Sequence, residues 1–171
     1  SLYKKYLVKR LDITLGIARP LPKKAAGKSV KAKKKKQGDT PAFVNGKIAP
    51  ELKAKVFERD DFTCRCCGFK SQKYQEIHFI DHNRKNADID NLATTCIFCH
   101  QCFNLDKIDE MRSGTLLWLP EIEQYKLHHI ARAIYVARIA QGPVSEAARA
   151  TLDILMERRE EAKKRISTDN P

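Results

Sequence analysis

Apolar residues at helical spacing predict several helices in this chain. The pattern covers residues 49–59, 121–141 and 144–166, and a further helix is predicted from about 97 to 107. The first helix is expected to end near Asp60-Asp61. Pro50 suits the first turn of the first helix, because proline lacks a backbone N–H that the first turn would leave unpaired. These segments predict that helices make up much of the second half of the chain.

Alternation of apolar and polar residues predicts strands in the remaining segments. Residues 7–15 partly alternate, and we expect them to form a strand that pairs back onto the domain. Shorter apolar runs at 76–82 and 115–119 predict two more strands. Together with the helices, these runs indicate an α+β fold.

The positive charge is concentrated in one segment. The chain has 171 residues and a formal net charge of +12, and residues 20–47 alone hold nine lysines and one acid. We interpret 20–47 as a flexible, lysine-rich linker or loop, because it has few large apolar groups to bury. The lysine run at 23–36 is either a solvated, solubilising segment or an arm for nucleic acid or an acidic protein surface. No apolar run is long enough to predict a membrane span.

The cysteines have the spacing of a metal site. Four of them form two C-x-x-C pairs, and two such turns brought together give the tetrahedral sulfur site that structural zinc prefers. The predicted ligands are Cys64, Cys67, Cys96 and Cys99. Cys66 and Cys102 are spare thiols, either of which could replace a ligand. Two disulfides or redox-active dithiols are the alternatives for the same pairs.

Residues between and after the cysteine pairs resemble the HNH nuclease motif. The resemblance rests on Asp81-His82, Asn91-Leu92 and Cys99-His100. It implies a ββα fold in which Asp81 and His100 bind a divalent metal such as Mg²⁺ or Mn²⁺. It further implies that His82 is a general base for DNA cleavage and that Asn91 braces the loop. The interval from His82 to Asn91 is shorter than the motif usually has.

A longer set of motifs resembles the DotN/IcmJ family of zinc proteins from type IVB secretion systems. The motifs are Val56 to Phe69, Tyr74 to Ile77, Asn91 to Cys99, Gln101 to Phe103 and Gly114 to Glu121. The resemblance implies an HNH-like zinc fold used for binding rather than cutting. It implies a place in a coupling complex, with the coupling ATPase and other secretion subunits as partners. The implied location is cytoplasmic, at the inner membrane through protein partners.

These observations predict four parts of the chain. They are an N-terminal strand in 1–19, the linker 20–47, a Cys₄-zinc HNH-like core in 48–112, and a strand with two C-terminal helices in 113–171. The leading functional hypothesis is a non-catalytic zinc adaptor of a type IV secretion coupling complex. The alternative is a metal-dependent HNH endonuclease acting on DNA.

The predicted helix 121–141 carries two histidines and a wide apolar face. His128 and His129 have no carboxylate or cysteine nearby in sequence, so we expect them at the surface or core edge rather than as ligands. The apolar face of 122–139 is expected to pack on the core, or to form a groove for a partner helix.

Overall fold

The structure is a computed structural model that describes residues 10–13 and 42–170. Most of the lysine-rich segment, including the run at 23–36, lies outside the described residues. All six cysteines and all five histidines lie within them.

A small hairpin opens the continuous part of the structure. Strands β1 (Phe43–Val44) and β2 (Lys47–Ile48) pair antiparallel. The two residues between them, Asn45 and Gly46, have φ values of 50° and 75°. A two-residue turn in which both residues have positive φ favours the sequence Asn-Gly, which is the strongest short sequence signal for a β-hairpin. The hairpin crosses the boundary predicted between linker 20–47 and core 48–112, so residues 43–47 of the predicted linker take part in regular structure.

Helix α1 (Pro50–Arg59) lies close to its predicted bounds, starting one residue after Ala49 and ending just before Asp60. It buries Leu52 and Val56 against Ile77 and Leu92, in an apolar cluster that also holds residues of the hairpin. At its end, the Arg59 guanidinium donates hydrogen bonds to two backbone carbonyls, those of Ile89 and Leu92. Helix α1 is therefore fixed on one side of the central pair of strands.

The central unit is a strand pair followed directly by a helix. Strands β3 (Gln75–Phe79) and β4 (Leu92–Cys96) pair antiparallel, and every residue of β4 is buried. Helix α2 (Ile97–Cys102) begins at the residue after β4. Because the helix follows the strand directly, the last residue of β4 and the first turn of α2 lie next to each other.

The predicted helix over 97–107 is broken into two. Helix α3 (Leu105–Met111) follows α2 after an interruption at Phe103 and Asn104. The backbone of Asn104 leaves the helical region, and its side-chain amide donates to the carbonyl of His100, 2.9 Å away. An asparagine side chain that bonds to a nearby carbonyl competes with the helical ladder, which accounts for the break.

The last two helices pack on each other. Helices α4 (Gln124–Ala137) and α5 (Pro143–Ile166) are joined through Gly142, whose φ is 83°. The predicted pattern over 121–141 is longer than α4 at both ends. Helix α5 begins one residue before the predicted start and ends where predicted.

Two predicted strands are not formed in the described residues. The segment 115–119 has no strand partner, because the N–H groups of Leu116 and Trp118 donate to carbonyls of the C-terminal tail and α5. Residues 10–13 are not in a strand either, although Leu11 donates one backbone hydrogen bond to Arg65. The rest of the predicted strand 7–15 lies outside the described residues. The mixed α+β class is confirmed, with two small two-stranded sheets in the described part of the chain.

Candidate metal centre and histidine cleft

The two cysteine pairs reach one point from two different elements. Cys64 and Cys67 lie in a tight turn after α1, in which Gly68 has a φ of 78° and donates its N–H to the Cys64 carbonyl at 2.8 Å. Cys96 ends β4 and Cys99 lies in the first turn of α2. The turn and the strand–helix junction therefore supply two sulfurs each.

The four sulfurs form a cluster that is positioned to hold a metal ion. All four Sγ atoms lie within 4.8 Å of one another, and those of Cys67 and Cys96 are 3.7 Å apart. A tetrahedral site with Zn–S bonds of about 2.3 Å has sulfur–sulfur edges of about 3.8 Å. The four side chains are at most 2% exposed, and none of the six cysteines is in a disulfide. The donor set and its spacing fit a tetrahedral thiolate site.

The four sulfurs differ in how readily they lose a proton. Hydrogen bonds from Cys66 first, and then from the other three cysteines of the cluster, hold the pKa of Cys64 far below its ordinary value. The hydrogen bond to Cys64 is in turn the largest cause of the raised pKa of Cys96 and of Cys99. Outside the cluster, burial raises the pKa of the Cys102 thiol to about 11. Cys102 therefore stays protonated at neutral pH, and a metal ion bound by the cluster would displace the protons that Cys96 and Cys99 retain.

Helix α4 lies against the cluster, which the sequence did not predict. His128 is buried, with Nδ1 3.1 Å from Cys99 Sγ and Nε2 3.5 Å from Cys102 Sγ. The neighbouring His129 places Nε2 2.7 Å from the carbonyl oxygen of Cys67. The expectation of a surface or core-edge position is thus wrong for His128. These partners are separated by 26 to 62 residues, so no local spacing could have revealed them.

Arg132 is a cation in contact with two of the sulfurs. Its Nη2 lies 2.6 Å from Cys96 Sγ and 3.7 Å from Cys67 Sγ. The guanidinium also lies over the rings of Phe69 and Phe98, 4.2 and 4.9 Å from their centroids. A planar guanidinium can stack on aromatic rings and donate hydrogen bonds at the same time.

Asp81 and Asn91 are joined by a hydrogen bond that holds together the loop between β3 and β4. The Asn91 amide donates to Asp81 Oδ1 at 2.9 Å, and Asn86 donates to Oδ2 at 2.8 Å. Although burial opposes ionisation, hydrogen bonds from Asn86, Asn83 and Asn91 keep the pKa of Asp81 below its ordinary value. Both carboxylate oxygens therefore already accept hydrogen bonds from within the loop.

Three imidazoles meet in a cleft beside this loop. The ring of His78 lies 5.2 Å from that of His82 and 6.4 Å from that of His100, and it stacks on Phe103 at 4.1 Å. Burial lowers the pKa of His78 to about 4 and lowers that of His100 as well. The buried Nδ1 of His82 has no hydrogen-bond partner in the described residues. His78 is not among the residues predicted from the sequence, because it lies among the apolar residues of a strand.

The cleft is basic, but it does not form a second metal-ligand group. Lys53, Arg84 and Lys107 line it together with the three histidines. Among residues 10–13 and 42–170, the four cysteines are the group whose donor atoms could hold an ion. The ligand atoms of Asp81, His82 and His100 do not gather in this way.

Comparison with known proteins supports the resemblance stated from the motifs. No family model matches the chain. Over 85 residues it is 38% identical to the type 4 apparatus protein DotN of Legionella pneumophila subsp. pneumophila. The chain resembles DotN. The match covers 48% of this chain and 40% of DotN, so the chain spans less than half the length of this relative.

No helix in the described residues combines the length and the apolar character that a bilayer crossing requires.

Proposed function

We propose that the chain is a zinc-binding component of a type IV secretion apparatus, in which the metal holds a protein-binding fold together. The observation that carries the proposal is the similarity to DotN in a chain whose four cysteines form a closed, buried thiolate cluster. Structural zinc sites have four protein ligands, whereas catalytic sites keep one position open for water. The proposed ligands are Cys64, Cys67, Cys96 and Cys99.

The proposed fold type is an HNH-like ββα unit used for binding. The order of β3, β4 and α2 supports it, since the helix begins directly after two antiparallel strands. The proposed partner is the coupling ATPase, within a complex on the cytoplasmic side of the inner membrane. The lysine run at 23–36 is proposed as an additional arm for an acidic surface or for nucleic acid.

Affinity purification of the tagged chain from the secreting cell tests this function. We expect the coupling ATPase to co-purify, and we expect deletion of the gene to reduce secretion or conjugation without affecting DNA integrity. Complementation with Cys64→Ser should fail, whereas Cys66→Ser, a variant of an equally buried cysteine outside the four-sulfur group, should restore secretion. Normal secretion by the deletion strain, with no ATPase recovered, would overturn the proposal.

Metal analysis of the purified chain tests the zinc assignment separately. About one zinc ion per chain is expected from a single four-thiolate site. A chain that purifies fully disulfide-bonded and without metal would contradict it.

The histidine cleft supports a second candidate, a metal-dependent HNH endonuclease. In this alternative His82 is the general base, Asn91 braces the loop, and Asp81 with His100 holds Mg²⁺ or Mn²⁺. The unpartnered Nδ1 of His82 and the cationic lining favour it, because phosphodiester cleavage needs a base and positive charge. The hydrogen bonds to both oxygens of Asp81 count against it.

A nicking assay separates the two candidates. Wild type, His82→Ala and the control His129→Ala are incubated with supercoiled plasmid and Mg²⁺, Mn²⁺ or Ni²⁺. The endonuclease requires nicking that only His82→Ala abolishes. The adaptor predicts that all three proteins are equally inert.

A further inference from the structure

Helix α4 combines apolar and polar contacts where it meets the rest of the protein. Of its 14 residues only His128 and Ile134 are fully buried, and Tyr125 is a half-buried residue that packs on the cysteine cluster. Burial of apolar area is the usual source of helix docking energy. Because one of the two fully buried side chains is a histidine, polar contacts also contribute to fixing this helix on the zinc-binding half.

Those polar contacts point at the sulfurs. Arg132 reaches Cys96 and Cys67 from between two aromatic rings, and its Nη1 also donates to the carbonyl of His128. The Gln124 amide donates to Nε2 of His128 at 2.9 Å, which leaves the ring proton on Nδ1, facing Cys99 Sγ at 3.1 Å. His128 and Arg132 are thus both arranged to donate hydrogen bonds to the cysteine sulfurs that are proposed to bind the metal.

The charge of the cluster determines how strong these contacts are. Four thiolates around one divalent ion carry a net charge of −2, and a guanidinium placed against them neutralises half of it. Hydrogen bonds to charged acceptors are roughly twice as strong as those between neutral groups. Without the ion no bond joins the four sulfurs to one another, so the pair of acceptors that Arg132 contacts is no longer fixed in place.

We propose that Arg132, assisted by His128, couples the C-terminal helix pair α4–α5 to the metal-loaded cysteine cluster. The helix pair docks on the loaded cluster and is released when the metal leaves. Arg132 is in this sense a positioning residue, and its effect on the metal is reciprocal: the docked helix also retains the ion. The inference rests on the proposed metal site, and it adds that the loaded cluster orients the surface that the two helices present to a partner.

The test uses the full chain loaded with zinc and compares four proteins. They are wild type, Arg132→Met, Arg132→Lys and Arg149→Met, in which the control replaces an exposed arginine of α5. The first measurement is the rate of zinc transfer to an excess of chelator. The second is hydrogen–deuterium exchange of the loaded protein. The absorption of the cobalt-loaded form checks that four-thiolate ligation is retained.

Arg132→Met is expected to release zinc about 10- to 100-fold faster than wild type, the range typical of lost contacts to metal ligands. Amides of α4 and α5 should exchange faster, while those of β3 and β4 keep the wild-type rate. Arg132→Lys should fall between the two, because lysine keeps the charge but loses the planar donor set. Arg149→Met should behave as wild type.

Release within about twofold of wild type, with unchanged exchange in α4, would overturn the inference. If Arg132→Met does not fold, Arg132→Lys and His128→Ala decide by the same two measurements. A wild-type chain that binds no zinc would sink both the proposed metal site and this coupling. If wild type binds zinc and all Arg132 variants match it in zinc release and amide exchange, the coupling is wrong but the metal site stands.

Discussion

Cys64 and Cys66 are two residues apart and each is only 1% exposed, but they have different surroundings. Cys64 belongs to the four-sulfur group, whereas Cys66 lies outside it and donates toward Cys64. Burial alone therefore does not identify a ligand. What separates the two thiols is whether the turn directs the sulfur to the point that the second pair also reaches.

Serine at these two positions should give different outcomes. Cys64→Ser removes a ligand and should lose most of the bound metal and much of the free energy of unfolding. Cys66→Ser should retain about one metal ion per chain. Its loss of stability should be about 1 to 3 kcal/mol, because a hydroxyl replaces a buried thiol. Elemental analysis and thermal unfolding measure the two effects, and equal metal loss in both variants would contradict the ligand assignment.

His78 should make stability depend on pH. Its folded-state pKa of about 4 lies below the unfolded value of about 6.5, so the unfolded chain binds a proton first as the pH falls. The stability that neutral His78 contributes is present above about pH 6.5 and is lost as the pH falls toward 4. Between pH 7 and 5.5, wild type should lose about 1 kcal/mol more than His78→Phe, whose ring can still stack on Phe103. Denaturant unfolding at each pH measures this difference, and parallel curves for the two proteins would contradict it.

At the scale of elements, agreement between sequence and structure depends on how local the cause is. Helix α1 forms close to its predicted bounds, since helical spacing and Pro50 are local signals. The break at Asn104 was missed because it depends on one side-chain hydrogen bond to His100. The segment 115–119 has a strand-like composition, but two of its N–H groups donate to the C-terminal tail and α5 instead of to a strand. These partners are set by tertiary packing, which strand propensity does not predict.

The β1–β2 hairpin was missed for a different reason. Its Asn45-Gly46 turn is a readable local signal, but the lysine-rich composition around it predicted a linker. The hairpin lies beside α1 because the N–H of Ala49 donates to the Ala42 carbonyl at 3.0 Å, and Ile48 packs on the cluster of Leu52 and Val56.

Substitutions in this turn test whether the hairpin contributes to stability. Gly46→Ala should cost about 1 kcal/mol, because alanine at a φ of +75° is strained although no atom lies near its Cβ. Asn45→Gly is the matched control and should change stability little, since glycine accepts the left-handed conformation that Asn45 has. Thermal unfolding measures both. Equal melting temperatures for Gly46→Ala and wild type would show that the hairpin is not part of the cooperative unit.

For the whole molecule, the cysteine spacing was the most informative part of the sequence, and the surroundings of the cluster were the least accessible. The C-x-x-C pairs indicated which sulfurs could share an ion, because that geometry follows from two local turns. The placement of His128 and Arg132 follows from how α4 packs, so it could be found only in the structure. The net charge of +12 likewise said little about the cysteine cluster, because much of the charge lies at 20–47.

Removal of the metal should unfold much more than the cysteine turns. Structural zinc binding contributes about 10 to 16 kcal/mol, which is as large as the whole stability of a typical domain. The cluster joins the Cys64–Cys67 turn, β4 and α2, and α4 lies against it. A strong chelator under reducing conditions should therefore lower the far-ultraviolet circular dichroism of helices and strands together. Zinc, but not Mg²⁺, should restore it, because thiolates bind Mg²⁺ poorly. A stripped protein with the wild-type spectrum and melting temperature would show that the four cysteines hold the fold without an ion.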